Sequence, residues 1–276
     1  MITKVWISIK ILIKRLAEWC ISIVANILKL NLLDLAFREN GIWYWSSYDD
    51  SGERYVLKTV LSRVVVSGQK VIFDVGANVG TYTKMVHQEF PNSRIHCFEP
   101  HPETYKELKK NTGRLSGVTV NNFGLSDSGK MISLYSDAML SGLTTAFKEV
   151  YKPLHDISEV SEVKVKVVTL DSYCEKNLID KIDLLKIDVE GLGIPVLMGG
   201  SSMIMKGLID IIQFEFNEIN IFSKTFLKDY FDLLPDHLFY RIKKDGLVAL
   251  SPYSPKNEIH YSQNIIAVHR RFFGSL

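Results

Sequence analysis

Apolar and polar positions change period several times along the chain, and each change predicts an element. "KVIFDV" (70–75) is an unbroken apolar run, the pattern of a strand buried on both faces. "GTYTKMVHQEF" (80–90) switches to helical spacing and stops at Pro91. "RIHCFE" (94–99) is the next strand. "PETYKELKKNTG" (102–113) is a helix opened by Pro102 and closed by Gly113, and "VTVNNFGL" (118–125) is a third strand. Short strands alternating with helices predict a parallel sheet covered on both faces.

The middle of the chain reads differently. "KMISLYS" (130–136) and "EVKVKVVTL" (162–170) alternate with period two, which predicts an antiparallel pair added to the sheet or lying beside it. The loop between them, with Gly142 and Pro153, is long enough to act as a lid. The parallel theme resumes with the helix "LDSYCEKN" (170–177), the strand "IDLLKIDV" (182–189), a helix around "IPVLMGGSSMIMKG" (194–207) and the strand "IDIIQFEF" (209–216). "LFYRIKK" (238–244) and "NIIAVHRR" (264–271) predict two terminal strands, and "RYVLKTVLSRVV" (54–65) a helix before the first strand. The expected fold is a doubly wound α/β domain with a mostly parallel sheet, an antiparallel C-terminal strand and an N-terminal helical extension. The extension is placed at 1–46 and the domain at 47–276, divided within the polar, aromatic stretch "RENGIWYWSSYDDSGER" (38–54).

The first 36 residues are apolar with interleaved Lys4, Lys10, Lys14, Arg15, Glu18 and Lys29. Their longest uncharged stretch, Trp19 to Leu28, falls short of the roughly 18 residues a spanning helix needs. Glu18 interrupts the charge order of a signal peptide. One or two helices are expected, packed as a cap on the domain or in peripheral contact with an anionic membrane surface.

Composition narrows the function classes. In 276 residues the formal net charge is +2, so no nucleic-acid partner is expected. Cys20, Cys97 and Cys174 are far apart and form no CxxC pair, so a reducing, cytoplasmic compartment is expected.

The chemistry concentrates in "FDVGANVG" (73–80). Asp74, Gly76 and Gly80 give the spacing D-x-G-x-x-x-G. Asn78 stands where a dinucleotide fingerprint has its second glycine, which counts against a nicotinamide-dependent oxidoreductase. An acid before a tight turn suits an ammonium group, and the following helix N-terminus suits a carboxylate. Glu99 ends the next strand, where an acid can accept hydrogen bonds from ribose hydroxyls. A ligand with both ends is S-adenosylmethionine.

Three stretches carry a resemblance to a known family: "FDVGANVGTYT" (73–83), "FEPHPETYKELKKN" (98–111) and "VVTLDSYCEKNLIDKIDLLKIDVEG" (167–191). The chain resembles the FkbM-type S-adenosylmethionine-dependent methyltransferases from about Glu53 onward. The resemblance implies the Rossmann-like class I methyltransferase fold. It places the methionine end of the cofactor on the segment from Asp74 through Gly76 and Asn78 to Gly80, and the ribose on Glu99. Through "GLSDSGK" (124–130) it implicates Ser126 and Asp127 near the adenine. The family usually carries a second acid two residues after its KIDVEG glycine; here Gly193 occupies that position.

"LLKIDVEG" sets Asp188 and Glu190 two residues apart at a strand end, and "IIQFEFNE" sets Glu215 on its neighbour. Convergent carboxylates suit a base that takes a proton from an acceptor hydroxyl, and Asp188 is the first choice. Three acids can also hold a divalent cation, but nothing in the spacing assigns a metal. The expected activity is O-methylation of a hydroxyl on a sugar, glycan or small metabolite, the glycan part following from the resemblance. The competing reading is a non-catalytic cofactor-binding or membrane-associated scaffold, supported by the missing acid at Gly193.

Overall fold

A computed structural model of the chain describes residues 2–44, 47–66, 68–137, 144–157 and 159–274. It divides into two units, one up to Asn40 and one from Gly41.

The first unit holds the helices Ile2–Leu28 and Leu32–Glu39. The Asn31 side chain caps the second, accepting from the amides of Leu33 and Asp34. Leu12, Leu16, Trp19 and Ile27 are exposed. Among the described residues no single helix is long and apolar enough to cross a membrane. The pair Ile9–Leu28 and Leu32–Glu39, bent by 107°, passes that test only together, by length and composition.

The second unit is built on an eight-stranded sheet. β1 (Val71–Val75), β2 (Arg94–Phe98) and β3 (Val118–Asn121) are parallel neighbours. A smaller sheet follows in the chain, with β4 (Gly124–Leu125), β5 (Lys130–Ser136), β6 (Thr144–Thr145) and β7 (Ser161–Val168). The main sheet resumes with β8 (Ile182–Ile187) and β9 (Ile209–Phe216), both parallel to β1. β10 (His237–Lys243), β11 (Gly246–Ala249) and β12 (Gln263–His269) complete it in the order β11-β10-β12-β9-β8-β1-β2-β3. β12 enters antiparallel to β9, so the mostly parallel, doubly wound sheet with an antiparallel C-terminal strand is as expected. The strand order reverses between β1 and β8, and such a switch point opens a crevice at the carboxyl ends of the strands.

Alternation along the strands divides the core between the two faces. Phe73, Val75, Leu185 and Ile187 pack on one side, and Ile72, Ile95, Leu184 and Ile211 on the other.

Four elements differ from the sequence reading. "VTVNNFGL" is not one strand: β3 ends at Asn121, and Gly124–Leu125 pairs with β7 in the second sheet. "LFYRIKK" turns through Asp245 into β11, which the polar "KKDG" obscured. The helix at 194–207 is two, Gly193–Met198 and Ser201–Met205, divided at Gly199 and Gly200, and a side chain at Gly199 would lie 2.0 Å from the Ser126 carbonyl oxygen. The helix at 54–65 contains a π-helical stretch, Val56–Leu61. The 130–170 pair lies beside the main sheet, as β5 and β7. Of the expected lid, 138–143 with Gly142 lie outside the described residues, and Lys148–Val150 and Tyr151–His155 are short helices. Tyr135, Phe147 and Tyr151 pack there with Val150 and Ile219.

Candidate active site

The crevice at the switch point is a cleft of about 820 Å³. Its floor comes from the turns after three neighbouring strands: Val75, Gly76 and Asn78 after β1, Glu99 and Pro100 after β2, and Asp188 to Glu190 after β8. Gly124, Leu125, Ile132 and Leu134 of the smaller sheet form a largely apolar wall.

Backbone geometry explains the glycine at 76. Its φ is +83°, and a Cβ there would lie 1.7 Å from the Asp188 carbonyl oxygen. The close approach allows the amide of Asp188 to bond the Val75 carbonyl at 2.8 Å, while the amides of Gly76 and Ala77 both donate to the Phe98 carbonyl. One turn is thereby tied to both neighbouring strand ends. Glu99 reinforces the tie: Oε2 accepts from the Asn78 amide at 3.0 Å and Oε1 from the His101 amide at 2.9 Å. Burial pushes the Glu99 carboxyl up to about 7 against these two hydrogen bonds. Asn78 holds φ at +46°, and its Oδ1 is buried without a protein partner. A buried acceptor left open at the floor of a cleft fits a ligand that brings a hydrogen-bond donor.

Asp188, Glu190 and Glu215 converge, each offering a carboxylate oxygen within 4.8 Å of the others. They do not do so as an extended strand would: Glu190 has φ +47° and Gly191 +88°, so the chain has turned before Glu190. Burial, then the charge of Asp188, pushes Glu190 up to about 8, against a hydrogen bond from Asn217. Burial and both neighbouring acids push Glu215 well above the usual carboxylate range. The oxygens are close enough to share a divalent cation, but a cation is already present: Lys186 Nζ, buried, donates to Asp188 Oδ2 at 2.9 Å.

Four expected site residues stand elsewhere. Asp74 is fully buried and off the cleft: Thr83 Oγ1 donates to its Oδ2 at 2.7 Å, and Lys186 Nζ lies 3.9 Å from Oδ1. The strand period is the reason, since Val75 faces the cleft and Asp74 the opposite side. Gly80, φ +86°, starts the helix Thr81–Glu89 and faces Leu108 and Thr112. Ser126 is held by its amide on the Val168 carbonyl, and Asp127 takes the Lys130 ammonium at 2.7 Å. Their neighbours Gly124 and Leu125 line the cleft instead.

The methyltransferase FkbM domain matches residues 74–242, more than half of the chain, and runs from the acid of β1 into β10. The chain belongs to the FkbM methyltransferase family. The S-adenosylmethionine-dependent methyltransferases expected from the sequence are thus the class into which it falls.

Among relatives of this FkbM domain, the hexuronic acid methyltransferase AglP of Haloferax volcanii is 28% identical over 56% of this chain and 59% of its own length. The 2-O-methyltransferase NoeI of Sinorhizobium fredii is 27% identical over 60% of this chain and 71% of its own. The 31-O-demethyl-FK506 methyltransferase FkbM of Streptomyces tacrolimicus is 32% identical over 47% of this chain and 58% of its own. The chain therefore spans little more than half the length of two of these relatives.

Two charged residues beside the candidate site escaped the sequence reading. Lys186 lies among three acids; burial opposes its charge, but Asp188, Asp74 and Glu53 outweigh burial and hold it firmly protonated. Glu53 arrives from the helix before β1 and is held by Ser51 Oγ at 2.9 Å and Gln213 Nε2 at 3.0 Å. Burial pushes Glu53 up to about 7. A lysine inside the run "LLKID" was the available signal for the first; Glu53, far away in sequence, gave none.

Proposed function

We propose that this chain transfers a methyl group from S-adenosylmethionine to a hydroxyl of a sugar, glycan or small metabolite. The observation that carries the reading is the cleft at the switch point of an FkbM domain, with Glu99 and the open Asn78 Oδ1 on its floor. The names of the relatives, a hexuronic acid methyltransferase and a 2-O-methyltransferase among them, support the hydroxyl acceptor.

Gly76, Asn78 and Glu99 would hold the cofactor. Asp74 and Gly80 act behind them, fixing the turn and the start of the helix, and Ser126 and Asp127 act behind Gly124 and Leu125. Bound there, S-adenosylmethionine supplies a methyl group on a sulfonium. The protein's own tasks are to align the acceptor and to take its proton. Of the three acids we assign the proton to Glu190. It lines the cleft and its carboxyl is held near 8, close to working pH, whereas Asp188 is committed to Lys186 and burial beside two acids pushes Glu215 well above the usual carboxylate range. Asp188 acts by raising Glu190, and Asp188 and Glu215 orient the acceptor. The catalytic domain is placed at 47–276.

Calorimetry tests the reading. S-adenosylhomocysteine should bind and NAD should show no comparable heat; the reverse pattern rules out the methyltransferase assignment.

The first unit carries a separate proposal, peripheral contact with an anionic membrane. Lys10 and Lys14 lie one turn apart on a helix whose Leu12, Leu16 and Trp19 are exposed, a combination suited to a charged bilayer surface. Co-sedimentation with phosphatidylserine vesicles should be lost at high salt; retention that only detergent releases argues for a span instead.

A further inference from the structure

A second cleft opens on the other side of Asp188. It is about 1210 Å³, counting its open mouth, and contains no residue of the first cleft except Asp188. Tyr44 and Tyr48 supply aromatic surface, and Tyr44 is exposed. Glu215 and Asn264, partners across β9 and β12, supply polar groups, as do Ser47, Ser51 and Ser262.

Among its described lining residues this cleft offers an incoming anion no free cation: Asp49 and Asp188 are already paired, and burial pushes the Glu53 and Glu215 carboxyls toward their neutral forms. Arg54 is the cation among these residues. Arg54 is already engaged: Nε donates to Asp49 Oδ1 at 2.6 Å and a terminal nitrogen donates to Glu89 Oε1 at 2.8 Å. Lys186, behind the wall, is taken by Asp188. An incoming carboxylate or phosphate would lose its hydration without gaining a free cation among these residues. A neutral ring bearing hydroxyls meets acceptors for its O–H groups and tyrosine rings for its apolar face.

We propose that the second cleft is the acceptor site and that it selects a neutral, hydroxyl-bearing ring over an anionic one such as a uronic acid. The inference rests on the methyltransferase reading, because a methyl acceptor must meet the cofactor cleft: Asp188 lines both clefts, and Glu190 of the first holds a carboxylate oxygen within 4.8 Å of those of Asp188 and Glu215 in the second. It separates this chain from a hexuronic acid methyltransferase on the chemistry of its own residues.

The test is calorimetric titration of the full chain, loaded with S-adenosylhomocysteine, with a panel of neutral methyl glycosides and their matching glycuronides. The best neutral glycoside should bind at least about tenfold tighter than its glycuronide, a difference of about 1.4 kcal/mol. Asp49→Lys, at a side chain 62% exposed, should shrink that ratio while leaving S-adenosylhomocysteine affinity unchanged. Asn264→Leu should weaken the neutral glycoside with the same cofactor control. Glycuronides binding equally or better overturn the inference. So does a panel in which nothing binds, or a ratio that ignores Asp49→Lys. Failure of S-adenosylhomocysteine itself to bind the unaltered chain is a different result: it removes the methyltransferase reading on which the inference stands.

Discussion

The Asn78 amide donates to Glu99 Oε2 at 3.0 Å, so one carboxylate joins the turn after β1 to the end of β2. Glu99→Ala removes both a proposed ribose acceptor and the partner of two amides. S-adenosylhomocysteine affinity should fall by about 1–3 kcal/mol, the range for losing a charge-assisted acceptor. Calorimetry checks this, with circular dichroism confirming the fold. Unchanged affinity would move the ribose off Glu99.

Lys186 is the cation that makes the buried acids tolerable. Lys186→Met leaves Asp74 buried beside an apolar chain and should destabilise the domain by about 3–5 kcal/mol. Asp74→Asn added to it should restore a large part of the loss, because the uncompensated charge is gone. Urea unfolding of the two variants reads the difference; a double variant no more stable than the single shows that the lysine acts through packing alone.

The raised carboxyls set two opposite pH trends. For catalysis, Glu190 must be ionised, so the rate should rise as pH passes through about 8. Glu190→Gln should lower the rate by roughly 10²–10⁴ and remove that rise. Single-turnover transfer across pH checks both, with cofactor binding measured in parallel. A flat profile in the unaltered chain assigns the proton elsewhere.

Stability runs the other way. Glu53 and Glu99 near 7 and Glu190 near 8 lie above the unfolded value of about 4.3, so the folded state holds more protons. Their contribution is fully present below the unfolded value and is lost as pH rises through 7 to 8. The melting temperature of the ligand-free chain should fall from pH 5 to pH 9, and Glu53→Gln should flatten the fall. Scanning calorimetry over that range decides it.

Gly193 holds the place of the family's second acid, and the structure shows why no side chain stands there. A Cβ at 193 would lie 2.4 Å from the Tyr230 hydroxyl. Tyr230 is itself stacked on Phe214 with ring centroids 4.0 Å apart. Gly193→Asp should cost about 1–3 kcal/mol as an overpacked substitution, and Tyr230→Phe added to it should recover part of that. Denaturant midpoints read both; a single variant as stable as the parent shows that Tyr230 moves freely.

Much of the domain was legible because it is local. β1, the turn at Gly76 and the helix between Pro102 and Gly113 follow from period and punctuation a few residues long. Convergence of Asp188, Glu190 and Glu215 was legible from two neighbouring strands, although the left-handed turn at Glu190 that achieves it was not. Asp74 illustrates the limit: its type suggested a ligand, but the alternation that turns Val75 to the cleft turns Asp74 to Lys186. Glu53 and Asn264 join the second cleft from opposite ends of the domain, and no spacing rule links residues that far apart. β4 was hidden because "NNFG" reads as a strand's continuation until the second sheet claims it.

Asp188 lines both clefts, and that has a thermodynamic consequence. A ligand that reorients this carboxylate in one cleft changes the wall of the other. By linkage the effect is mutual: whatever factor the cofactor imposes on acceptor affinity, the acceptor imposes on the cofactor. Exchange of donor product for fresh donor is then biased by whether an acceptor occupies the other cleft, and the order of addition becomes a property of one shared side chain.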